Sequence, residues 1–249
     1  MSNVISGLIV VAVAGLIGAL GLLVRVRVFP GKEDEEREDV AGYVTMMVGV
    51  MFALILALAL VSVWEDNDSA EGHVAAEASS LNEVYLLGAS MLPADQLRIQ
   101  AAADAYADYV VHTEFPAMRA DKEIGDTGWQ LFTNLRTAFL NSDVSTPARQ
   151  AVLSDATTQL STLSDARRGR LDDVGKRMPS VLWIGLVLGG VLTVALTFIY
   201  GIEQRFTHIG MVMGLAALIG FMLILIYNLD NPFSQGTGAD SEPFTRYFP

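Results

Sequence analysis

The chain of 249 residues contains no cysteine. That excludes disulfides, thiol nucleophiles and thiolate metal sites, and it leaves the redox compartment unstated. Charge is also scarce, at 18% of residues, where ordinary soluble domains carry about 25%. The shortage is concentrated. Residues 4–24, 40–64, 178–202 and 206–229 contain no Asp, Glu, Lys or Arg. Each run exceeds the roughly 20 residues, at about 1.5 Å rise each, that a helix needs to cross a hydrocarbon core about 30 Å thick. A soluble core helix would show one polar face, and these runs show almost none.

Signatures of chemistry are missing as well. There is no glycine-rich phosphate loop, no Gly-x-Ser-x-Gly elbow and no His-Glu-x-x-His. The three histidines, His73, His112 and His208, lie far apart in sequence. His112 beside Glu114 is a conceivable metal pair, but the spacing is not the i, i+4 of a helical site, and a surface or bundle-lining histidine is the simpler reading. Asp66-Asn67-Asp68-Ser69 lacks the glycine and bidentate Glu of a calcium loop at the required offsets. No metal, cofactor or catalytic set is expected, and the protein is not expected to be an enzyme. The formal net charge of −12 argues against nucleic acid, whose phosphates demand basic patches.

What is present is organised as two pairs of apolar runs around a polar middle. The expected fold class is all-α: a polytopic membrane protein with four transmembrane helices, two plus two, and a central extramembrane helical bundle. Residues 1–64 hold spans one and two with a charged connection, 65–179 a polar helical domain, 180–229 a hairpin of spans three and four, and 230–249 a Pro/Gly-containing tail. The first run is read as a span and not as a signal peptide, because Arg25 and Arg27 follow it while no charged side chain precedes it. The polar domain carries 10 Lys/Arg against 18 Asp/Glu. Its apolar residues fall at helical spacing: Ala70, Val74, Ala78, Leu81 and Tyr85 continue span two without a Gly/Pro break. A second helix runs from near Ala94 toward Pro116, and a third over about 129–140. Thr146 is an expected N-cap with Pro147 in the first turn. The helix begun there, through Val152, Ala156, Leu160, Leu163, Ala166 and Val174, is expected to run on into span three.

No charge lies within the four spans, which disfavours a charge-relay transporter. Polar groups at membrane depth reduce to Thr45, Ser62, Thr193, Thr197 and Asn228. An apolar constriction gated by dewetting is compatible with that pattern. Gly185-x-x-x-Gly189 and Gly210-x-x-x-Gly214 are small-xxx-small motifs that let helices approach closely, within or between subunits; Gly15, Gly18 and Gly21 add a third small face. Basic residues near the short loops (Arg25, Arg27, Lys32, Arg37, Arg205) place those loops inside, and hence the termini and the central domain on the extracytoplasmic side of the cell membrane. The bases before span three, Arg167, Arg168, Arg170, Lys176 and Arg177, vote the other way, but within a long domain they count for less. Arg167 and Arg168 either grip anionic lipid headgroups or pair with Glu77 or Glu83, the structural reading being preferred.

In order along the chain, Ala41-Gly42, Trp64-Glu65, Glu77-Ala78 with Leu81 and Tyr85, Glu114-Phe115-Pro116-Ala117-Met118, Leu163-Ser164-Asp165-Ala166-Arg167-Arg168, Leu182-Trp183 and Leu229-Asp230-Asn231-Pro232-Phe233-Ser234 form a pattern. With Glu242-Pro243-Phe244 after it, the sequence resembles the bestrophin-like family of four-span bacterial membrane proteins over essentially its whole length. Phe115 stands where that family usually has Trp, and Asn231 where a base is common. The family-motif residues are thus Glu77, Tyr85, Pro116, Asp165, Arg167, Arg168, Asp230, Pro232, Phe233 and Ser234. The resemblance implies a pentameric anion channel with a large helical domain between spans two and three, placed in the cytoplasm, against the charge count. It also implies a pore lined by span two, through a face such as Thr45, Gly49, Phe52 and Leu56. The expected function is therefore an oligomeric membrane channel or pore for small ions, with the lipid bilayer and further copies of the chain as partners. The alternative is a non-conducting sensor or adaptor whose central domain binds a partner or ligand.

Overall fold

The computed structural model describes residues 35–197, 205–233 and 238–248, with side chains from residue 42 in the first helix and from residue 210 in the helix of the last span. The first apolar run, with Gly15, Gly18 and Gly21, lies outside the described residues, as does Ser234. Every described element is helical: α1 (Glu35–Gly88), α2 (Pro93–Tyr109), a π-helical turn (Val110–Glu114), α3 (Phe115–Arg119), α4 (Thr127–Leu140), α5 (Pro147–Val174), α6 (Ser180–Thr197), α7 (Arg205–Leu229) and α8 (Glu242–Tyr247). Three of them, within Gly42–Gly88, Ser180–Thr197 and Gly210–Leu229, contain stretches long and apolar enough to cross a membrane. The chain divides into two compact units.

The first unit holds α1 as far as Trp64 together with α6 and α7. Its core is the cluster Phe52, Val63, Leu186, Val194, Val212, Ala216, Ile219, Leu223 and Ile226. Phe52 is the wedge, seated on a flat patch of α6: a Cβ on Gly189 would stand 2.7 Å from the ring, and one on Gly190 would stand 3.1 Å from Ile219. The outward faces of α1 are apolar and open to the surroundings (Met47, Val50, Met51, Leu54 and Leu58), as a helix in hydrocarbon requires. Thr193 and Thr197 donate their hydroxyls to the backbone of α6 itself, at Gly189 O (2.8 Å) and Val194 O (2.6 Å), so the span meets its own polar demands. At the other end of the α6–α7 pair, the Asp230 carboxylate accepts from the Met178 N–H (2.6 Å) and from Trp183 Nε1 (3.1 Å). Trp183 meets Tyr227 edge-on at 6.0 Å. Asp230 therefore binds the entry of one span to the exit of the next.

The second unit holds α1 from Glu65, α2 to α5 and the tail from Asn231. α1 passes from one unit to the other as a single helix of 54 residues, because nothing between 40 and 87 is proline and no turn chemistry interrupts it. The helix ends at Gly88, and Pro93 opens α2 in its first turn. Thr146 caps α5 as expected, its Oγ1 accepting from the Arg149 N–H at 3.3 Å with Pro147 following. The expectation that α5 runs on into span three is overturned. α5 ends at Val174, residues 175–179 are non-helical, and α6 starts afresh at Ser180. Gly175 is the C-cap, and Pro179 keeps the residue before it out of the helix while its carbonyl accepts the Leu182 N–H at 2.9 Å.

The two glycine motifs make different predictions. Gly189→Ala drives a methyl into Phe52 and should lower the stability of the detergent-solubilised protein by about 1–3 kcal/mol. A Cβ added at Gly185, Gly210 or Gly214 would have nothing within 4 Å, so alanine there, the better helix former by about 1 kcal/mol, should not lower the thermal midpoint of the protomer and should tend to raise it. Circular-dichroism melts of the four variants check this; a neutral Gly189→Ala would refute the wedge.

Candidate functional site

The second unit buries a cluster of four charges. On α1 the core stripe reads Ala70, Val74, Ala78, Leu81 and Val84, and Glu77 shares it at 0% exposure. On α5 the stripe Ala156, Leu160, Leu163 and Ala166 continues into Arg167 and Arg170, both also fully buried. The third contributor is the π turn. Pro116 lacks an N–H and its ring crowds the carbonyl four residues back; the chain answers by widening, so that the Phe115 N–H bonds Val110 O. An extra residue in the turn rotates the downstream residues by about 100°, which brings Phe115 and Met118 to the buried face that Glu114 shares with Tyr106 and Val110.

These side chains interlock. Arg170 grips Glu77 through Nε (2.5 Å) and Nη2 (3.0 Å), and Nη2 also reaches Glu114 at 2.7 Å. Arg167 forms a fork on Glu114, Nη2 to Oε1 at 2.5 Å and Nη1 to Oε2 at 3.0 Å, with Glu77 3.6 Å away. Tyr106 donates to Glu77 at 2.6 Å and accepts from Arg167 at 3.1 Å. Two guanidiniums and two carboxylates cancel, which is the condition for holding them away from water. Aromatic faces close the cluster: Trp129 lies 5.0 Å from the Arg167 guanidinium and Phe115 5.5 Å from that of Arg170. Gly128, in the first turn of α4, leaves the needed space, since any Cβ there would overlap Arg167 Nη2 and Glu114 Oε1. Arg167 Nε is buried without a hydrogen-bond partner.

The electrostatics suit holding shape more than moving protons. Burial alone would raise the Glu114 pKa, but the Arg167 hydrogen bond and the Arg170 charge outweigh it and hold the carboxyl below its ordinary value. Burial, reinforced by Glu77, pushes the Tyr106 phenol well up. Burial opposes the charge on Arg170, yet Glu77 and Glu114 keep its pKa raised. Beside the cluster, His73 on α1 meets the buried Asp173 of α5 at 2.6 Å, and Lys176 Nζ lies 2.8 Å from the other Asp173 oxygen. That hydrogen bond and the Asp173 charge raise the Lys176 pKa.

The tail belongs to the same unit. Asn231 Oδ1 accepts the Phe233 N–H at 3.3 Å, and the Ala239 N–H bonds Pro232 O at 2.7 Å. Phe233 and Phe244 both meet Phe115 edge-on with centroids 6.3 Å away, and Phe248 meets Tyr85 at 5.6 Å. The tail thus covers the ring that covers Arg170.

Of the residues singled out from sequence, Glu77 and Arg167 enter the cluster and Phe233 packs on Phe115 beside it, while Tyr85 meets Phe248 of the tail and Pro232 is buried in the tail's turn. Arg168 points away and pairs with exposed Asp165 at 3.6 Å; Pro116 shapes the π turn but is itself exposed. Neither Arg167 nor Arg168 is placed by a contact with Glu83. His112 and Glu114 diverge, His112 being exposed against Asp108 at 3.0 Å. Among the described residues no three His, Asp or Glu side chains gather as a metal-binding group. Phe52 is 7% exposed and Leu56 packs beside it against the core of the first unit, whereas Thr45 and Gly49 are half-buried and a Cβ on Gly49 would meet nothing within 4 Å. Sequence reasoning missed Arg170, Tyr106 and Asp173. The signal was there: charged residues at apolar-stripe positions of α5.

Apolar helices of spanning length joined to a polar helical unit define a multi-pass membrane protein. A family model, the Bestrophin-like domain, matches residues 12–244, and the chain belongs to that family. A comparison with curated proteins gives no match.

Removing one partner of a buried pair costs about 3–5 kcal/mol, so Glu114→Gln should destabilise the polar unit at neutral pH by roughly that amount. Because the folded Glu114 pKa lies below its unfolded value, its contribution is fully present above about pH 4.5 and is lost as pH falls through the folded pKa. Urea unfolding between pH 7 and pH 3 should therefore show a shallower acid decline in Glu114→Gln than in the wild type; parallel declines would refute the assignment.

Proposed function

We propose that the protein is an oligomeric membrane pore for small ions, anion-selective by analogy with its family, and not an enzyme. In this reading four spans per subunit surround the path, and span two, the apolar half of α1, lines it. One observation carries the proposal: α1 crosses from an uncharged, spanning-length stretch into a polar domain as one unbroken helix. Such a helix can supply a neck that excludes ions when dry and is held from outside the membrane. Phe52 is engaged with Gly189 and Gly190, so the lining is assigned to an outward face of α1, Val50, Leu54 and Leu58, and not to Thr45, Gly49, Phe52 and Leu56. The loops rich in Arg and Lys are assigned to the cytoplasmic side and the polar domain to the extracytoplasmic side of the cell membrane.

The absence of cysteine makes the test direct. Single cysteines at 50, 54 and 58, and at 49, 52 and 56, are placed in protein reconstituted into chloride-loaded vesicles. Flux blocked by a charged thiol reagent at 50, 54 or 58, with 49, 52 and 56 inert, is the expected result. Block confined to 49, 52 or 56 would return the pore to the packed stripe, and absence of flux under all ionic conditions sinks the pore. In that event a sensor or adaptor takes its place, and deletion of 94–145 should abolish co-purification of its partner.

A further inference from the structure

We infer that the Glu77–Arg170 pair is a register lock, fixing the axial position of α1 against α5 and so of the helix assigned to the pore; the coupling to conduction rests on that assignment. Two adjoining contacts define the register. Arg170 presents two nitrogens to the two oxygens of Glu77, both side chains at 0% exposure. One turn earlier on α1, the His73 ring lies over Gly169, where a Cβ would come within 2.6 Å of three ring atoms, and its Nδ1 meets Asp173. Residues 73 and 77 are thus matched to 169, 170 and 173.

A slide of one turn, about 5.4 Å, would bring another α1 side chain onto Gly169 and take Glu77 off the arginine fork. An apolar seam would resist that motion weakly, because methyl groups repack at neighbouring positions. A buried bidentate ion pair does not: about one turn from Glu77 the buried stripe of α1 offers Val74 or Leu81 and no carboxylate, so Arg170 would lose its fork and keep only its bond to Glu114. Register is the best-attested use of buried polar pairs. α1 continues from Glu77 back to Glu35 without a break, so the position set at 77 is handed along the same helix to residues 50–58.

The test uses the full chain with His73→Cys and Gly169→Cys, the only thiols present. Oxidative cross-linking rate reads register directly, independent of conduction. Glu77→Leu combined with Arg170→Met removes the pair while keeping apolar bulk. The expected result is a cross-linking rate about tenfold lower, equal to about 1.4 kcal/mol, with chloride flux altered in the same preparation. A rate within about twofold of the unsubstituted pair overturns the lock, whether or not the vesicles conduct. A slowed rate with unaltered flux in conducting vesicles overturns the coupling to the pore. A slowed rate in vesicles that never conduct upholds the lock and removes the pore reading instead. Should the double variant not fold, Glu77→Asp keeps the charge and withdraws it by one methylene. It should slow cross-linking by about threefold, and an unchanged rate there overturns the lock equally.

Discussion

The polar unit depends on an exact cancellation of charge out of reach of water. Arg167 and Arg170 on one helix meet Glu77 and Glu114 on two others, and none of the four could be buried alone at tolerable cost. This constraint explains features that otherwise look unrelated. Glycine at 128 is required because the Arg167–Glu114 pair fills the space of a side chain. The π turn is required because a regular helix, which would keep Glu114 on the face of Val110, would turn Phe115 away from Arg170. Tyr106 supplies the hydroxyl that completes Glu77. Remove one carboxylate and an uncompensated guanidinium is stranded in a core of Phe, Tyr and Trp.

The two ends of the polar unit's chain join the membrane helices by different devices. α1 enters it as a continuous helix, whereas α5 leaves it through a Gly175–Pro179 break before α6 begins. A continuous helix transmits axial displacement and rotation; a five-residue non-helical joint transmits little of either. If the unit moves a span, the physics assigns that task to α1. The aromatic tail adds weight on the same side of the balance, since Phe233 and Phe244 brace Phe115 against Arg170, the arginine that holds α1.

Much of this was legible in the sequence. The uncharged runs marked the spanning helices because hydrocarbon forbids charge, and Thr146-Pro147 marked the start of α5 because capping is local chemistry. The family pattern pointed to Glu77 and Arg167. What stayed hidden was long-range. Arg170 stands 93 residues from Glu77, and nothing local says which carboxylate faces it. Its place on the α5 stripe signalled burial without naming the partner. The expected run of α5 into span three failed because the helical pattern was extended across Gly175 and Pro179, two residues whose local preference is to stop a helix. Phe52, placed on the pore-lining face by the family resemblance, packs instead on the glycines of α6, which sequence alone could not bring opposite it.

Those glycines sharpen what small residues mean in this chain. Gly189 is small because the Phe52 ring of the same chain occupies the space a side chain would need, and Gly190 because Ile219 of α7 does. A Cβ at Gly185, on the same face by spacing, or at Gly210 or Gly214 on α7 would meet nothing within 4 Å among the described residues. A methyl group costs nothing there in isolation, and glycine in a helix is about 1 kcal/mol worse than alanine. Packing among the described residues therefore gives no reason for glycine at those three positions. Their smallness suits a helix approaching closely in the bilayer from outside the described residues, whether the first apolar run of this chain or a helix of another copy.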